Sequence, residues 1–398
     1  MDQFVTQVLL KKCLKQKTNS RIPMKEYVNM PELKEISIKG FKSFRDKTTI
    51  ELGKLNVLIG ANGAGKSNLI SAFRFLNNAL AGNLQGYTIR YGAEYFLYNG
   101  RKTTQKFELA FKIKTTHALD SYGLDVNFQA PNGLFVSREY IDYQKKGKGS
   151  PFTHEIENSG YELGLPNLSK QVKIEREAKN PILTKGRAIY EFLARMMVYQ
   201  FHDTTDTSRI RGPVNRADGK CLKSDGGNTA AVLYAIKNTP EYQPYYNKIV
   251  NYVRRVTPDF QDFVLTGYPE KPWEIFLTWR KAGEDAVFSP NQLSNGTLRF
   301  IALATLLLAP EQVMPKIIVL DEPVLGLHPM AIHILANMIQ QASENAQIIL
   351  ATQSSLLLDH FKPEDVIVAE PKGGTTILNR LNFEKLTEWL DNYSLSEL

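Results

Sequence analysis

The chain has little cysteine and no long apolar run. Cys13 and Cys221 are its two cysteines, so the sequence predicts neither a disulfide framework nor a cysteine metal site. No apolar stretch approaches the about 20 residues that span a bilayer. The N-terminal region also lacks the basic segment and apolar core of a secretory signal. These absences exclude a disulfide-rich secreted domain and predict a cytoplasmic protein with no membrane partner.

The sequence also lacks a strong charge excess beyond its first 30 residues. Its net charge is +8, and residues 1–30 contribute six basic side chains against two acidic ones. A hydrophobic content of 43% is typical of a globular protein, and 398 residues suffice for two subdomains with substantial cores. A basic balance suits nucleic-acid binding, but it equally suits a mildly basic enzyme, so charge alone leaves both open.

The most specific motif is a glycine-rich loop at residues 60–67, which read GANGAGKS. Residues 55–59 before it predict a buried strand, and residues 68–73 after it predict the start of a helix. In this strand–loop–helix order the motif is a P-loop, which binds a nucleoside triphosphate such as ATP through backbone N–H groups. Lys66 then reaches the β- and γ-phosphates, and Ser67 ligates Mg²⁺. The predicted nucleotide-binding residues are Gly60, Ala61, Asn62, Gly63, Ala64, Gly65, Lys66, Ser67 and Asn68.

A second motif supplies acidic residues at the end of a predicted strand. Residues 316–323 read KIIVLDEP, and their apolar run predicts a buried strand of a parallel sheet. Asp321 and Glu322 follow at its carboxyl end, where open α/β sheets bind their ligands. We predict that Asp321 holds Mg²⁺ and that Glu322 activates a water molecule as the catalytic base, with Lys66 as a catalytic cation.

A third motif, LSNGT at residues 293–297, opens an apolar helix predicted over residues 298–308. It resembles the signature motif of ABC ATPases, in the LSxGT form of the SMC/RecF-like group. The Ser294 hydroxyl, the Gly296 N–H and a helix N-terminus together form an anion site. In the ABC family this site binds the γ-phosphate of ATP held by the other subunit. The resemblance therefore implies a homodimer or a higher oligomer.

The segments between these motifs extend the resemblance. The opening strand and turn at residues 36–44, the D-loop at residues 324–329 and the last core strand at residues 348–352 are similar to SMC- and RecF-like heads. The resemblance runs from about residue 31 onward and identifies the chain as a compact bacterial ATPase of that group. Two positions depart from the family pattern, since Val324 replaces a common Glu and Gln353 replaces the usual switch His. Gln353 can donate a hydrogen bond to a γ-phosphate but cannot become charged near neutral pH, so we predict a variant catalytic residue with slow turnover.

The resemblance implies an α/β fold of the ABC head type, with a mixed central sheet, an antiparallel β subdomain and a helical second lobe. The interval between Lys66 and Ser294 contains no sustained heptads, so the sequence predicts a head without a coiled-coil arm. The predicted divisions are a basic extension (1–30), the first part of lobe I with the P-loop and β subdomain (31–182), helical lobe II (183–290) and the remainder of the core (291–398).

Hydrophobic patterning predicts individual elements within these divisions. Alternating apolar residues predict strands over 106–112, 122–128 and 134–140. Helical patterns cover 189–197, 229–237 and 242–256. The polar stretch at 144–182 is predicted to be an exposed loop.

The leading functional prediction is an ATP-hydrolysing switch that dimerises head to tail and presents a surface to DNA or to an effector protein such as a nuclease. The resemblance implies a role in DNA repair or antiviral defence. One alternative is a nucleotide-gated scaffold with negligible turnover, which Gln353 favours. A less favoured alternative is the nucleotide-binding subunit of a transporter, because the FKSF turn at residues 41–44 and the long interval between motifs are unlike such subunits.

Overall fold

The computed structural model describes residues 31–115, 118–143, 152–157, 160–174, 181–267 and 269–381. The chain divides into two compact units. Unit 1 runs to Met196 and resumes over Asp365–Leu381, and unit 2 contains Met197–Glu364. The predicted basic extension lies outside the described residues. Within the described part of the chain, no helix combines the length and the apolar character needed to cross a bilayer.

An antiparallel six-stranded sheet makes up much of unit 1. Its strands are β1 (Glu32–Lys39), β2 (Thr48–Glu51), β4 (Lys106–Lys114), β5 (Leu119–Gln129), β6 (Gly133–Tyr143) and β7 (Phe152–Glu155), paired in the order β2-β1-β4-β5-β6-β7. Phe107, Leu109 and Phe111 of β4 are all buried, so the alternating pattern marks one core face. The predicted strands at 106–112, 122–128 and 134–140 are therefore confirmed.

A second group of strands in unit 1 surrounds the P-loop. Strand β3 (Leu55–Ile59) precedes the loop, and helix α1 (Lys66–Leu80) follows it, with α2 (Leu84–Tyr91) next along the chain. β3 pairs in parallel with β16 (Val366–Lys372), which pairs antiparallel with β17 (Thr375–Arg380). Strand directions are therefore mixed, as the resemblance implied, and a C-terminal hairpin completes the surroundings of an N-terminal motif.

The prediction of an exposed loop over 144–182 is wrong where that segment forms regular elements. It contains β7, helix α3 (Leu165–Ile174) and the start of helix α4 (Pro181–Leu193). The buried carboxylate of Glu139 accepts hydrogen bonds from the backbone N–H groups of Gly164 at 2.6 Å and Leu165 at 3.0 Å. It thereby caps the first turn of α3, whose N–H groups have no partner within the helix. Local composition could not reveal a cap that comes from another strand.

The predicted helix over 189–197 is also wrong at its end. Helix α4 ends at Leu193, and Met196–Tyr199 form strand β8. The apolar run in this region fits either a helix or a buried strand, so periodicity does not distinguish them. The amide of Asn77 donates to the Met196 carbonyl at 2.6 Å, a tertiary contact that local sequence does not show.

Unit 2 combines helices with short sheets. Its helices are α5 (Thr229–Lys237), α6 (Gln243–Val256), α7 (Asn295–Leu307), α8 (Pro329–Ala342) and α9 (Ser355–Leu358). Its remaining strands are β9 (Val214–Asn215), β10 (Phe260–Val264), β11 (Glu274–Ile275), β12 (Thr278–Lys281), β13 (Val287–Phe288), β14 (Ile317–Asp321) and β15 (Gln347–Ala351). β14 and β15 are parallel and buried along their whole length, as the apolar runs predict. Among the described residues the longest helix is α1, with 15 residues, so the described part of the chain contains no coiled-coil arm.

Candidate functional site

Three glycines shape the P-loop between β3 and α1. Gly60, Gly63 and Gly65 have φ angles of 144°, 80° and 106°, which side-chain-bearing residues rarely adopt. A Cβ on Gly60 would collide with the Ala369 carbonyl, and one on Gly65 would collide with the side chain of Thr376. Glycine is therefore required at positions 60 and 65 for both the backbone turn and the space beside it.

A network of hydroxyl groups braces the loop. The Thr376 hydroxyl of β17 donates to the Ala64 carbonyl at 3.1 Å and lies 2.7 Å from the Ser43 hydroxyl. The Asn68 amide donates to the same Ser43 hydroxyl at 2.8 Å. The sequence analysis selected Asn68 but missed Ser43 and Thr376 as supporting residues. Ser43 could have been found, because it lies in the FKSF turn that carries part of the family resemblance.

Lys66 places a cation inside the loop. Its side chain is 5% exposed, and its Nζ donates to the carbonyls of Gly60 at 2.6 Å and Ala61 at 3.1 Å. Helix α1 begins after Gly65 without a side-chain cap. The Asn68 N–H donates to the Gly65 carbonyl at 3.0 Å, which leaves the N–H groups of Lys66 and Ser67 to face a ligand. The Ser67 side chain is exposed at the same end of the helix. A helix N-terminus, an ammonium group and a hydroxyl in one loop fit a bound phosphate chain and its Mg²⁺.

Glu322 has a strained backbone at the end of β14. Its φ of 46° is unusual for a residue with a side chain and costs about 1 kcal/mol. Its N–H donates to the Ala351 carbonyl of β15 at 2.9 Å, and its Oε2 accepts from the Gln353 N–H at 3.3 Å. The preceding Asp321 is buried. Unit 2 therefore brings Asp321, Glu322 and Gln353 together at the carboxyl ends of two parallel strands.

The signature segment, residues 293–297, forms the start of α7. The exposed Ser294 is the N-cap, and its hydroxyl accepts from the Thr297 N–H at 3.1 Å and lies 2.9 Å from the Thr297 hydroxyl. A Cβ on Gly296 would come within 2.5 Å of the Gly326 carbonyl, so glycine allows the D-loop to approach this helix end. The structure thus places Ser294 and Gly296 together with the D-loop.

The sequence analysis missed Arg211, a buried arginine that fixes the signature segment. Its guanidinium is 7% exposed and donates to the Pro290 carbonyl at 2.6 Å and to the Asn295 side chain at 2.8 Å. It also donates to the Thr204 carbonyl at 3.1 Å. Arg211 lies in a stretch rich in basic residues, where its sequence position gives no sign of these partners.

Solved structures with this fold define the class of the protein. A Smc head bound to the C-terminal winged-helix domain of ScpA matches with a TM-score of 0.58 and 15% identity, over 89% of this chain and 99% of that one. A Smc head with an extended coiled coil, bound to the C-terminal domain of ScpA from Pyrococcus furiosus, matches with a TM-score of 0.54 and 15% identity, over 91% of this chain and 99% of that one. The fold is that of an ABC-type P-loop ATPase head, which confirms the predicted fold class.

The chain belongs to the family described as "AAA domain, putative AbiEii toxin, Type IV TA system", whose model matches residues 55–359. Shorter segments resemble chromosome-organising proteins. The chromosome partition protein Smc of Desulfitobacterium hafniense is 54% identical over 56 residues, which are 14% of this chain and 5% of that protein. The structural maintenance of chromosomes protein 3 of Saccharomyces cerevisiae is 44% identical over 151 residues, or 36% of this chain and 12% of that protein. The matches thus span only a small part of these relatives, and they confirm an SMC-like ATPase head.

Proposed function

We propose that this chain binds and hydrolyses ATP and dimerises head to tail on it. The observation that carries the proposal is the P-loop, in which the Lys66 ammonium lies beside an uncapped helix N-terminus. Lys66 neutralises phosphate charge, and backbone N–H groups of the loop, among them those of Lys66 and Ser67, bind the phosphate oxygens. Ser67 and Asp321 would hold Mg²⁺, which neutralises developing charge on the phosphates when it is bound.

Glu322 is the proposed general base. Its carboxylate accepts the proton of the attacking water, while Asp321 remains available for the metal. The left-handed backbone of Glu322 supports this assignment, since strained residues concentrate at functional sites. The backbone N–H of Gln353 donates to the Glu322 carboxylate, and its side chain is exposed. That side chain would donate a hydrogen bond to the γ-phosphate.

The signature segment is proposed to act on ATP held by a second copy of the chain. The exposed Ser294 and the N-terminus of α7 form an anion site whose partner is a γ-phosphate. Three large apolar side chains of unit 2 that follow β14 and β15 are exposed, namely Leu325 at 51%, Met330 at 59% and Leu356 at 51%. Exposed apolar residues in the D-loop and in the first turns of α8 and α9 favour a protein interface that includes these segments.

We further propose that ATP-driven closure is coupled to an effector protein or to DNA. The description of the family, which names a toxin system, favours a defence role in which an effector protein is the partner. The Smc heads in the matching structures are bound to domains of ScpA, which supports a protein partner here. The net charge of +8 is compatible with DNA, and DNA repair is the second role that the resemblance implies.

A second candidate is a nucleotide-gated scaffold with negligible turnover. Gln353 favours it, because an uncharged amide at the switch position stabilises a γ-phosphate less than a charged imidazole would. Steady-state ATPase assays with and without DNA separate the two candidates. Turnover above the rate of a Lys66→Ala control supports an enzyme, whereas tight ATP binding without turnover supports the scaffold.

Complementation between two inactive variants tests the dimer. Ser294→Arg blocks the signature site with bulk and charge but leaves the P-loop intact, and Lys66→Ala does the reverse. A mixed dimer has one composite site with both defects and one with neither. Partial recovery of ATPase activity on mixing supports a site shared between subunits. No recovery, when co-purification of differently tagged chains demonstrates mixed dimers, would contradict shared sites that act independently.

A further inference from the structure

Arg299, in the second turn of α7, donates hydrogen bonds to three main-chain carbonyls. Its Nη1 donates to Leu325 of the D-loop at 2.6 Å. Its Nε donates to Phe201 at 2.8 Å, and its Nη2 donates to His202 at 2.8 Å. A guanidinium group can hold three separate acceptors in a fixed plane, which a lysine ammonium cannot do. Arg299 therefore fixes the D-loop and residues 201–202 to the signature helix.

The D-loop also touches the signature helix directly at two glycines. A Cβ on Gly296 would come within 2.5 Å of the Gly326 carbonyl, and a Cβ on Gly326 would come within 2.7 Å of Arg299 Nη1. The φ of Gly326 is 74°, so its backbone lies in the left-handed region. The first turns of α7 and the D-loop therefore fit each other closely, and a shift of one requires a shift of the other.

His202 extends this contact to the strand that carries the catalytic acids. The Gln200 amide donates to His202 Nδ1 at 2.9 Å, so the proton resides on Nε2. Nε2 donates in turn to the Asp321 carbonyl at 3.2 Å. Because Asp321 directly precedes Glu322, a continuous set of hydrogen bonds runs from Arg299 through His202 to the backbone of the proposed base.

We propose that Arg299 is a positioning residue, through which the signature helix sets the position of the D-loop and of Glu322. This inference rests on the proposed function, because it assigns the signature end of α7 to the ATP of a second copy. Occupation of that end by a phosphate shifts α7, and Arg299 transmits the shift to the Leu325 and His202 carbonyls. Hydrolysis by one copy is then faster when its own signature site is filled, because the shift improves the position of its Glu322.

The first test compares Arg299→Ala with Arg209→Ala, since Arg209 is an exposed arginine of the same unit that forms an ion pair with Asp225. We expect Arg299→Ala to lower kcat by about 10- to 100-fold, the range expected when a catalytic group is misplaced. The KM for ATP should change by less than about twofold, because the P-loop is unchanged. Arg299→Lys should recover only part of kcat, because one ammonium cannot hold all three carbonyls. Arg209→Ala should behave like the wild type.

The second test is a double-mutant cycle across the close contact. Gly326→Ala presses a methyl group on Arg299, and Arg299→Ala removes the obstacle. The double variant should therefore have a kcat within about twofold of the worse single variant. Gly283→Ala is the matched control, because Gly283 has a φ of 80° but open space around its Cβ position. Gly283→Ala should change kcat only slightly. In the double variant with Arg299→Ala, the fold-changes in kcat of the two single variants should multiply.

Amide hydrogen exchange over residues 322–328 gives a readout that does not need turnover. Arg299→Ala should accelerate exchange there, and Arg209→Ala should leave it unchanged. Three results would each overturn the inference. They are a wild-type kcat in Arg299→Ala, losses that multiply in the double-mutant cycle of Arg299 and Gly326, and unchanged hydrogen exchange in Arg299→Ala. A wild-type protein that neither binds nor hydrolyses ATP would instead contradict the proposed function, and the exchange experiment would still show whether Arg299 positions the D-loop.

Discussion

The two units hold their motifs with different kinds of side chain. In unit 1, the P-loop is braced by the neutral hydroxyls of Ser43 and Thr376, and its cation, Lys66, stays within the loop. In unit 2, the signature segment and the D-loop are held by the guanidinium groups of Arg211 and Arg299, which donate to main-chain carbonyls. Unit 1 thus keeps a positive charge at the place where a phosphate chain is expected, whereas unit 2 uses positive charge to fix its backbone.

This difference separates two ways of building a binding loop. A neutral hydrogen bond contributes about 1 kcal/mol, and one from a charged donor contributes about 1.5–3 kcal/mol. Neutral braces therefore suffice where glycine geometry already dictates the loop. In unit 2, by contrast, charged donors hold the signature segment and the D-loop to residues 201–204.

Loss of the P-loop cation should have the largest effect. Lys66→Ala removes the ammonium group that faces the phosphate chain, so ATP affinity should fall by at least about 100-fold and turnover should reach background. Isothermal titration calorimetry with ATP measures the change. The folded state should remain intact, because the glycines and Thr376 still define the loop. Micromolar affinity in this variant would contradict the assigned role.

Loss of the proposed base should instead spare binding. Glu322→Gln keeps the side-chain shape but removes the proton acceptor, which should lower kcat by about 10²- to 10⁴-fold. Because Lys66 and Ser67 are untouched, ATP should bind with near wild-type affinity and a closed dimer should accumulate. Size-exclusion chromatography in the presence of ATP detects that dimer. Turnover equal to that of the wild type would exclude Glu322 as the base.

The contrast between the units also explains what the sequence could predict. The P-loop, the strand before it and the helix after it were predictable, because eight contiguous residues specify both the backbone and the ligand chemistry. The buried strand that ends at Asp321 was predictable for the same reason, since one apolar run is followed directly by the acids. The fold class followed from the resemblance of these motifs to those of ABC ATPases.

Side chains that act at a distance were not predictable. Arg211 and Arg299 gave no signal, because their partners lie up to 98 residues away in sequence. Thr376 lies in a C-terminal hairpin that no local pattern links to the P-loop. The same limit explains the error over 144–182, where Glu139 caps a helix from a neighbouring strand. Only the tertiary structure brings these residues to their partners.

The charged brace of unit 2 should be costly to remove. Arg211→Met keeps the volume of the side chain but leaves the carbonyls of Thr204 and Pro290 without this donor. We expect the free energy of unfolding to fall by about 2–4 kcal/mol, measured by urea denaturation. Arg209→Met is the matched control and should change it by less than about 0.5 kcal/mol, because Arg209 is exposed. Similar losses of unfolding free energy in Arg211→Met and Arg209→Met would mean that the burial of Arg211 and its partner carbonyls do not determine its contribution to stability.

The neutral brace of unit 1 should cost less. Thr376→Val is nearly isosteric but removes the hydroxyl that contacts Ala64 and Ser43. The expected loss is about 1–2 kcal/mol in the free energy of unfolding, with a fall of several-fold in ATP affinity as the loop loosens. Thr376→Ser retains the hydroxyl and should restore affinity. A loss as large as that of Arg211→Met would remove the proposed difference between neutral and charged braces.

A histidine pair should give unit 2 a small sensitivity to acid. His333 of α8 and His360 lie with Nδ1 and Nε2 3.3 Å apart, and Asp359 is the neighbouring acid. Partial burial lowers the pKa of His360 below 6.5, His333 lowers it further, and Asp359 opposes the shift. At this site the unfolded chain then binds more protons than the folded one. The contribution of His360 to stability is therefore fully present above about pH 6.5 and is lost as the pH falls through the folded pKa. His360→Gln removes this proton uptake. Lowering the pH from about 7.5 to about 5.5 should therefore lower the Tm of the wild type by about one or two degrees more than that of the variant. Parallel melting profiles over that range would show that the pair does not couple to folding, and the acid sensitivity of the protein would then have another origin.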